Sequence, residues 1–138
     1  MFILDTNVIS ELRNGKVQPS RAVREWAARQ PINALYLSAI TVMEIEIGAQ
    51  LMERKDVAQG RVLRSWNDQV LKAFEGRVLG FTGVTALTCA PLHVPDKKSF
   101  RDSMIAATAL EHRFAVATRN VSDFAMPKLK VVNPWDHE

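Results

Sequence analysis

A single cysteine, Cys89, stands in 138 residues, so no internal disulfide can brace the chain and the fold must rest on its packed core, the usual pattern of a reducing compartment. Cys89 lies in an apolar stretch and reads as buried filler rather than a nucleophile. No apolar run is long enough to span a bilayer, and Met1-Phe2-Ile3-Leu4 meets Asp5 far short of a secretory leader core. A cytoplasmic protein with no membrane partner is therefore expected. Glycine-rich phosphate loops, a G-x-S-x-G elbow and a dinucleotide fingerprint are all missing, which removes the commonest nucleotide-binding and hydrolase classes. His93, His112 and His137 have no ligand spacing among themselves or to Cys89, so zinc is disfavoured.

What the chain does have is 47% hydrophobic residues, enough for a chain of this length to bury about two-thirds of its unfolded surface in one core. One domain, residues 1–138, is expected. Eighteen Lys and Arg against fifteen Asp and Glu leave a formal charge of +3, a surplus that suits a polyanionic partner without requiring one. Short apolar runs at Phe2 to Leu4, Leu35 to Leu37, Arg77 to Phe81, Phe114 to Thr118 and Leu129 to Val132 read as strands. Between them lie helical patterns at Ser20 to Gln30, Thr41 to Arg54, Val57 to Glu75 and Phe100 to Arg113, and a further helix begins straight after the first strand. Strands alternating with helices predict an α/β fold, a parallel sheet covered on both faces. In such sheets ligands bind beyond the carboxyl ends of the strands.

Acidic residues fall at those places. Asp5 follows the first strand directly and either meets a cation or caps the next helix. Glu44 shares a stripe with Ile40, Ile47 and Leu51 at 100° per residue, a reading that projects it from the buried helix face, while Glu46 lies off that stripe. Asp102 sits in the first turn of its helix beside Ile105, Ala106 and Ala109, and Ser99-x-x-Asp102 also has capping-box spacing. Asn120 and Asp123 follow the strand ending at Thr118, and each is also a common turn former. Oxygen donors without His or Cys would favour Mg²⁺ or Mn²⁺. Lys97, Lys98 and Arg101 crowd beside Asp102 and Arg119 adjoins Asn120, positions suited to a phosphate backbone or a partner's acids. Arg61 and Arg64 read as solvated charges. Trp26, Trp66 and Trp135 read as core or interface residues, and the apolar-dotted stretch Ala49 to Phe74 either completes the core or receives a partner helix.

Five blocks in order carry a resemblance across nearly the whole chain: Phe2-Ile3-Leu4-Asp5-Thr6-Asn7-Val8-Ile9-Ser10-Glu11, Leu37-Ser38-Ala39-Ile40-Thr41-Val42-Met43-Glu44, Asp102-Ser103-Met104-Ile105-Ala106-Ala107-Thr108-Ala109, Val116-Ala117-Thr118-Arg119-Asn120 and Val132-Asn133-Pro134-Trp135. Together they resemble the PIN-domain toxins of the VapC and FitB type. The resemblance implies a three-layer PIN-like fold with a central parallel sheet of about five strands. It also implies an acidic pocket holding Mg²⁺ or Mn²⁺ that cleaves RNA, and homodimers bound by a small VapB- or FitA-like antitoxin, with a higher assembly on operator DNA. Asp5, Glu44 and Asp102 match the family's acidic ligand positions, and Thr6 and Thr118 its small hydroxyl residues. The fourth acidic position holds Asn120, so either Asn120 serves as a neutral ligand or Asp123 supplies the charge. The segment between Phe81 and Asp102 looks shorter than in relatives, with Pro91 and Pro95 interrupting a helix. The rival function is an RNA-binding scaffold that kept the shape and lost turnover through Asn120.

Overall fold

A computed structural model describes residues 1–136; His137, one of the three histidines set aside above, lies outside the described residues. Strands β1 (Phe2–Leu4), β2 (Leu35–Ser38), β3 (Val78–Leu79), β4 (Ala115–Ala117) and β5 (Val131–Val132) form one sheet in the order β3-β2-β1-β4-β5. Every pairing is parallel. The helices are α1 (Thr6–Glu11), α2 (Arg21–Arg29), α3 (Ala39–Lys55), α4 (Val57–Ala73), α5 (Gly83–Cys89) and α6 (Phe100–His112).

Side chains on a strand alternate between faces, and each face of this sheet carries its own apolar cluster. On one side Leu4, Leu37 and Ala117 pack with Val8, Val23, Trp26, Ile45 and Val70. On the other, Ile3 and Val116 pack with Ile105, Ala106, Ala109 and Phe124. The result is the three-layer α/β arrangement the resemblance implies. Chain order runs from β1 outward to β2 and β3, then returns to β4 on the opposite flank. The switch point therefore lies between β1 and β4, where a crevice opens past the strand ends.

Local chemistry sets the helix starts. Ser20 Oγ accepts from the Val23 N–H, Ser38 Oγ from Ile40 and Asp56 from Gln59, each satisfying a donor that a helix start leaves free. The Ser38 cap starts α3 at Ala39, two residues before the sequence pattern suggests. The expected capping box at Ser99 and Asp102 does not form: Ser99 makes no side-chain cap bond, and Asp102 is engaged elsewhere. Helix α5 lies where only the resemblance implies a helix, the one that Pro91 interrupts, and no periodicity marks it. It is seven residues long and begins with a reciprocal Thr82 and Thr85 cap in which threonine replaces the usual Glu or Gln. The 3-10 turn Ala90–His93 follows, with Pro91 at its start, where a missing N–H is harmless.

Helix α3 corrects the stripe expected to bury Glu44. Its buried residues are Ile40, Thr41, Ile45 and Ala49, whereas Ile47 is 48% and Leu51 64% exposed. The helix is covered on two sides, by the sheet and by α4, so the apolar face is set by two neighbours and not by the hydropathy of one stripe. Helices α3 and α4 touch backbone to backbone at Gly60, where a Cβ would lie 2.6 Å from Glu53 Cα. Asn67, buried on α4, donates to the Ile45 carbonyl at 2.7 Å and fixes the pair's register. Val57, Val62 and Leu71 on α4 remain exposed, so the stretch from Ala49 to Phe74 does not spend all its apolar residues on the core. Among the described residues no helix is long and apolar enough to cross a membrane.

Candidate acidic site at the switch point

Asp5 follows β1 directly and caps α1, so both readings of this residue meet in one side chain. Its Oδ1 accepts the Thr6 N–H at 2.8 Å, and it is fully buried. A buried carboxylate needs a cation or several donors, and here it has both. Thr118, just past β4, donates its hydroxyl to Asp5 Oδ2 at 2.7 Å. Arg101 Nη2 donates to Asp5 Oδ1 at 2.5 Å.

Glu44 reaches the same place from the second turn of α3. Thr6 Oγ1 donates to its Oε1 at 2.7 Å and Arg101 Nε to its Oε2 at 2.6 Å. Asp102 takes the remaining arm, Arg101 Nη1, on Oδ1 at 2.7 Å. Residues 5, 44 and 102 thus converge through one guanidinium, each carboxylate on a different nitrogen. Burial alone disfavours a charged Arg101, but the hydrogen bonds to Glu44 and Asp5, the Asp5 charge and the bond to Asp102 outweigh it and raise its pKa above the ordinary arginine value.

The other expected residues divide. The Asn120 N–H donates to Thr118 Oγ1 at 3.0 Å, two hydrogen bonds from Asp5, which places its backbone beside the site. Asp123 is exposed in the turn Val121–Phe124, and among the described residues its carboxylate makes no hydrogen bond or ion pair. Arg119 lies over the Trp135 ring at 5.1 Å, and Lys97 over Phe100 at 5.4 Å, both exposed. Lys98 is exposed and its backbone N–H donates to His93 Nδ1. Arg64, expected to be a free solvated charge, is instead paired with Glu46 and Glu53.

Arg101 is the main departure. In sequence Arg101 is expected to face outward, towards RNA or an antitoxin, whereas in the structure it turns inward onto the chain's own acids. Its contacts to Asp5 and Glu44 span 96 and 57 positions, so no local signal could have found them. Thr41 was also missed: it is fully buried, with its hydroxyl oxygen 3.4 Å from that of Thr6.

A PIN domain family profile matches residues 2–125. The VapC ribonuclease Y4jK of Sinorhizobium fredii is 43% identical over 99% of each chain. The chain is a PIN domain of the VapC and FitB toxin type. The toxin FitB of Neisseria gonorrhoeae is 36% identical, covering 98% of this chain and 99% of its own. The crystal structure of FitAcB from the same organism superposes with a TM-score of 0.88 over 99% of each chain at 36% identity. A structure of FitAB bound to the IR36 DNA fragment superposes at 0.82, with 37% identity over 100% of this chain and 98% of that one.

Three carboxylates and two threonine hydroxyls, with no imidazole or thiolate, make a donor set of the kind that hard divalent ions take. The PIN domain's acids Asp5, Glu44 and Asp102 converge on the Arg101 guanidinium. Among the described residues no three acidic, His or Cys side chains stand close enough as they are to hold one ion.

Proposed function

We propose that this chain, working as a single PIN domain in the cytoplasm, is a divalent-metal-dependent endoribonuclease and the toxin of a toxin-antitoxin pair. The observation that carries the reading is the convergence of Asp5, Glu44 and Asp102 on one cation at the sheet's switch point. These three would hold Mg²⁺ or Mn²⁺. Such an ion supplies Lewis-acid chemistry, activating water and offsetting charge that builds on the phosphate.

The chain's own residues aim the carboxylates. Thr118 fixes Asp5 and is itself held by the Asn120 N–H, while Thr6 fixes Glu44. Of the two candidates for the fourth position, Asn120 is the better supported, because its backbone already belongs to this hydrogen-bond chain. Lys97, Lys98 and Arg119 stand exposed and would draw in the RNA backbone. The kinship with FitAcB and with FitAB on its DNA fragment supports a VapB- or FitA-like antitoxin and a joint assembly on operator DNA, and a homodimer belongs to the same reading.

One observation favours the rival, a non-cleaving RNA-binding domain: a guanidinium already fills the acid pocket. The deciding experiment follows cleavage of small structured RNAs by the purified protein in Mg²⁺ or Mn²⁺ beside an Asp5→Ala variant. Nuclease function requires turnover that stops with chelation and falls at least about 100-fold in the variant, the loss of a few kcal/mol of charge stabilisation. Equal behaviour of the two proteins would establish the binder.

A further inference from the structure

Arg101 uses every nitrogen of its guanidinium, and on three different acids. Nε bonds Glu44, Nη1 bonds Asp102, and Nη2 bonds Asp5 with Thr6 Oγ1 at 3.3 Å. Elsewhere in the chain Arg64 answers two carboxylates, Glu46 and Glu53. Here one positive charge answers three carboxylates, so the cluster keeps a surplus of negative charge that a divalent ion would match better. The oxygens that face the guanidinium are not the ones taken by the threonine hydroxyls: Thr118 holds Asp5 Oδ2 and Thr6 holds Glu44 Oε1, while Arg101 takes Asp5 Oδ1 and Glu44 Oε2. The Arg101 side chain is 32% exposed on the first turn of α6, which leaves it a route to solvent, while Asp5 is fully buried.

We propose that Arg101 is an internal competitor of the metal: guanidinium and divalent ion occupy the same cradle of Asp5, Glu44 and Asp102 in turn, and the ion loads only as Arg101 swings towards solvent. The proposal rests on the reading of those three acids as the metal-holding group. In the metal-free protein the guanidinium holds together carboxylates that would otherwise repel one another. Apparent metal affinity is then lowered by the fraction of molecules in which the arginine is out. Lysine could not do the same, because a point-like ammonium lacks the fork that reaches three carboxylates at once.

The test is Mn²⁺ binding by the whole protein, followed by the electron paramagnetic resonance signal of free Mn²⁺, for wild type, Arg101→Lys, Arg101→Gln and Asp5→Asn. Melting temperatures are taken with and without the ion. Both Arg101 variants should bind Mn²⁺ more tightly than wild type, Arg101→Gln by roughly tenfold or more. Both should melt lower without metal and gain more from adding it, while Asp5→Asn loses Mn²⁺. Arg101→Lys keeps the charge and remains informative should Arg101→Gln fail to fold without metal. Tighter binding by Arg101→Gln alone would reduce the effect to long-range charge and overturn the proposal. So would unchanged or weaker binding by both variants, and in either case loss of Mn²⁺ in Asp5→Asn would leave the metal pocket standing. Mn²⁺ binding that ignores Asp5→Asn would remove the pocket and the competitor together.

Discussion

Two buried carboxylates stand at opposite ends of the same six-residue helix, Asp5 capping α1 and Glu11 closing it. Glu11 is neutralised locally. Lys16 Nζ donates to its Oε2 at 2.6 Å, and the Ser20 N–H, nine positions on, to its Oε1 at 2.5 Å. The Lys16 hydrogen bond is the main reason its pKa falls below the usual carboxylate value; burial works the other way, and the Ser20 bond and the charges of Lys16 and Arg24 assist. Asp5 instead draws on partners 96 and 113 positions away, and shares its cation with two more acids. The difference separates a staple from a site. A buried acid with its own nearby cation closes a loop, while buried acids that must share one form a pocket still short of positive charge.

The same substitution at two glutamates sharpens that contrast. Glu44→Gln should cost the larger factor: RNA cleavage in Mg²⁺ falls about 100-fold or more, as expected when one donor of charge-stabilising machinery is neutralised. Its midpoint in urea should shift little. Glu11→Gln should do the reverse, losing about 1–3 kcal/mol of stability in urea unfolding, the cost of weakening charge-assisted bonds in a buried place. Its cleavage per folded molecule should stay at the wild-type level. A folded Glu11→Gln protein without cleavage would break the distinction. The smallest effect is a pH dependence. Because Glu11 holds its proton more weakly when folded, the unfolded chain binds more protons in acid. Its contribution is therefore present above the ordinary value of 4.5 and is lost as pH falls through the lowered folded value. Melting temperature measured from neutral pH down to about 3 should fall less steeply in acid for Glu11→Gln than for wild type.

The acids of the pocket were legible in sequence because each lies just past an apolar run or near a helix start, and a parallel sheet gathers such places at one edge. Asp5 and Asp102 were placed on their elements by such local pattern. Glu44 was placed on the right helix but on the wrong stripe, since α3 is packed against two neighbours and Ile47 and Leu51, apolar by composition, face outward. The inward turn of Arg101 was hidden for a different reason. Its neighbour Asp102 is visible in sequence, but its other partners come from β1 and α3, and only the assembled sheet brings them within reach. Helix α5 is implied by the resemblance alone, because a seven-residue segment with a threonine pair for its cap carries too little periodicity to stand out.

Gly60 shows how far from the pocket its geometry is set. With Glu53 backbone where a side chain would begin, any larger residue must push α4 away from α3, loosening the Asn67 clasp on Ile45. Helix α3 carries Glu44 at its other end, so the angle of that carboxylate depends on an atom that is not there. A mutational scan should find position 60 almost as intolerant as the acids themselves, with abundance falling before catalysis does.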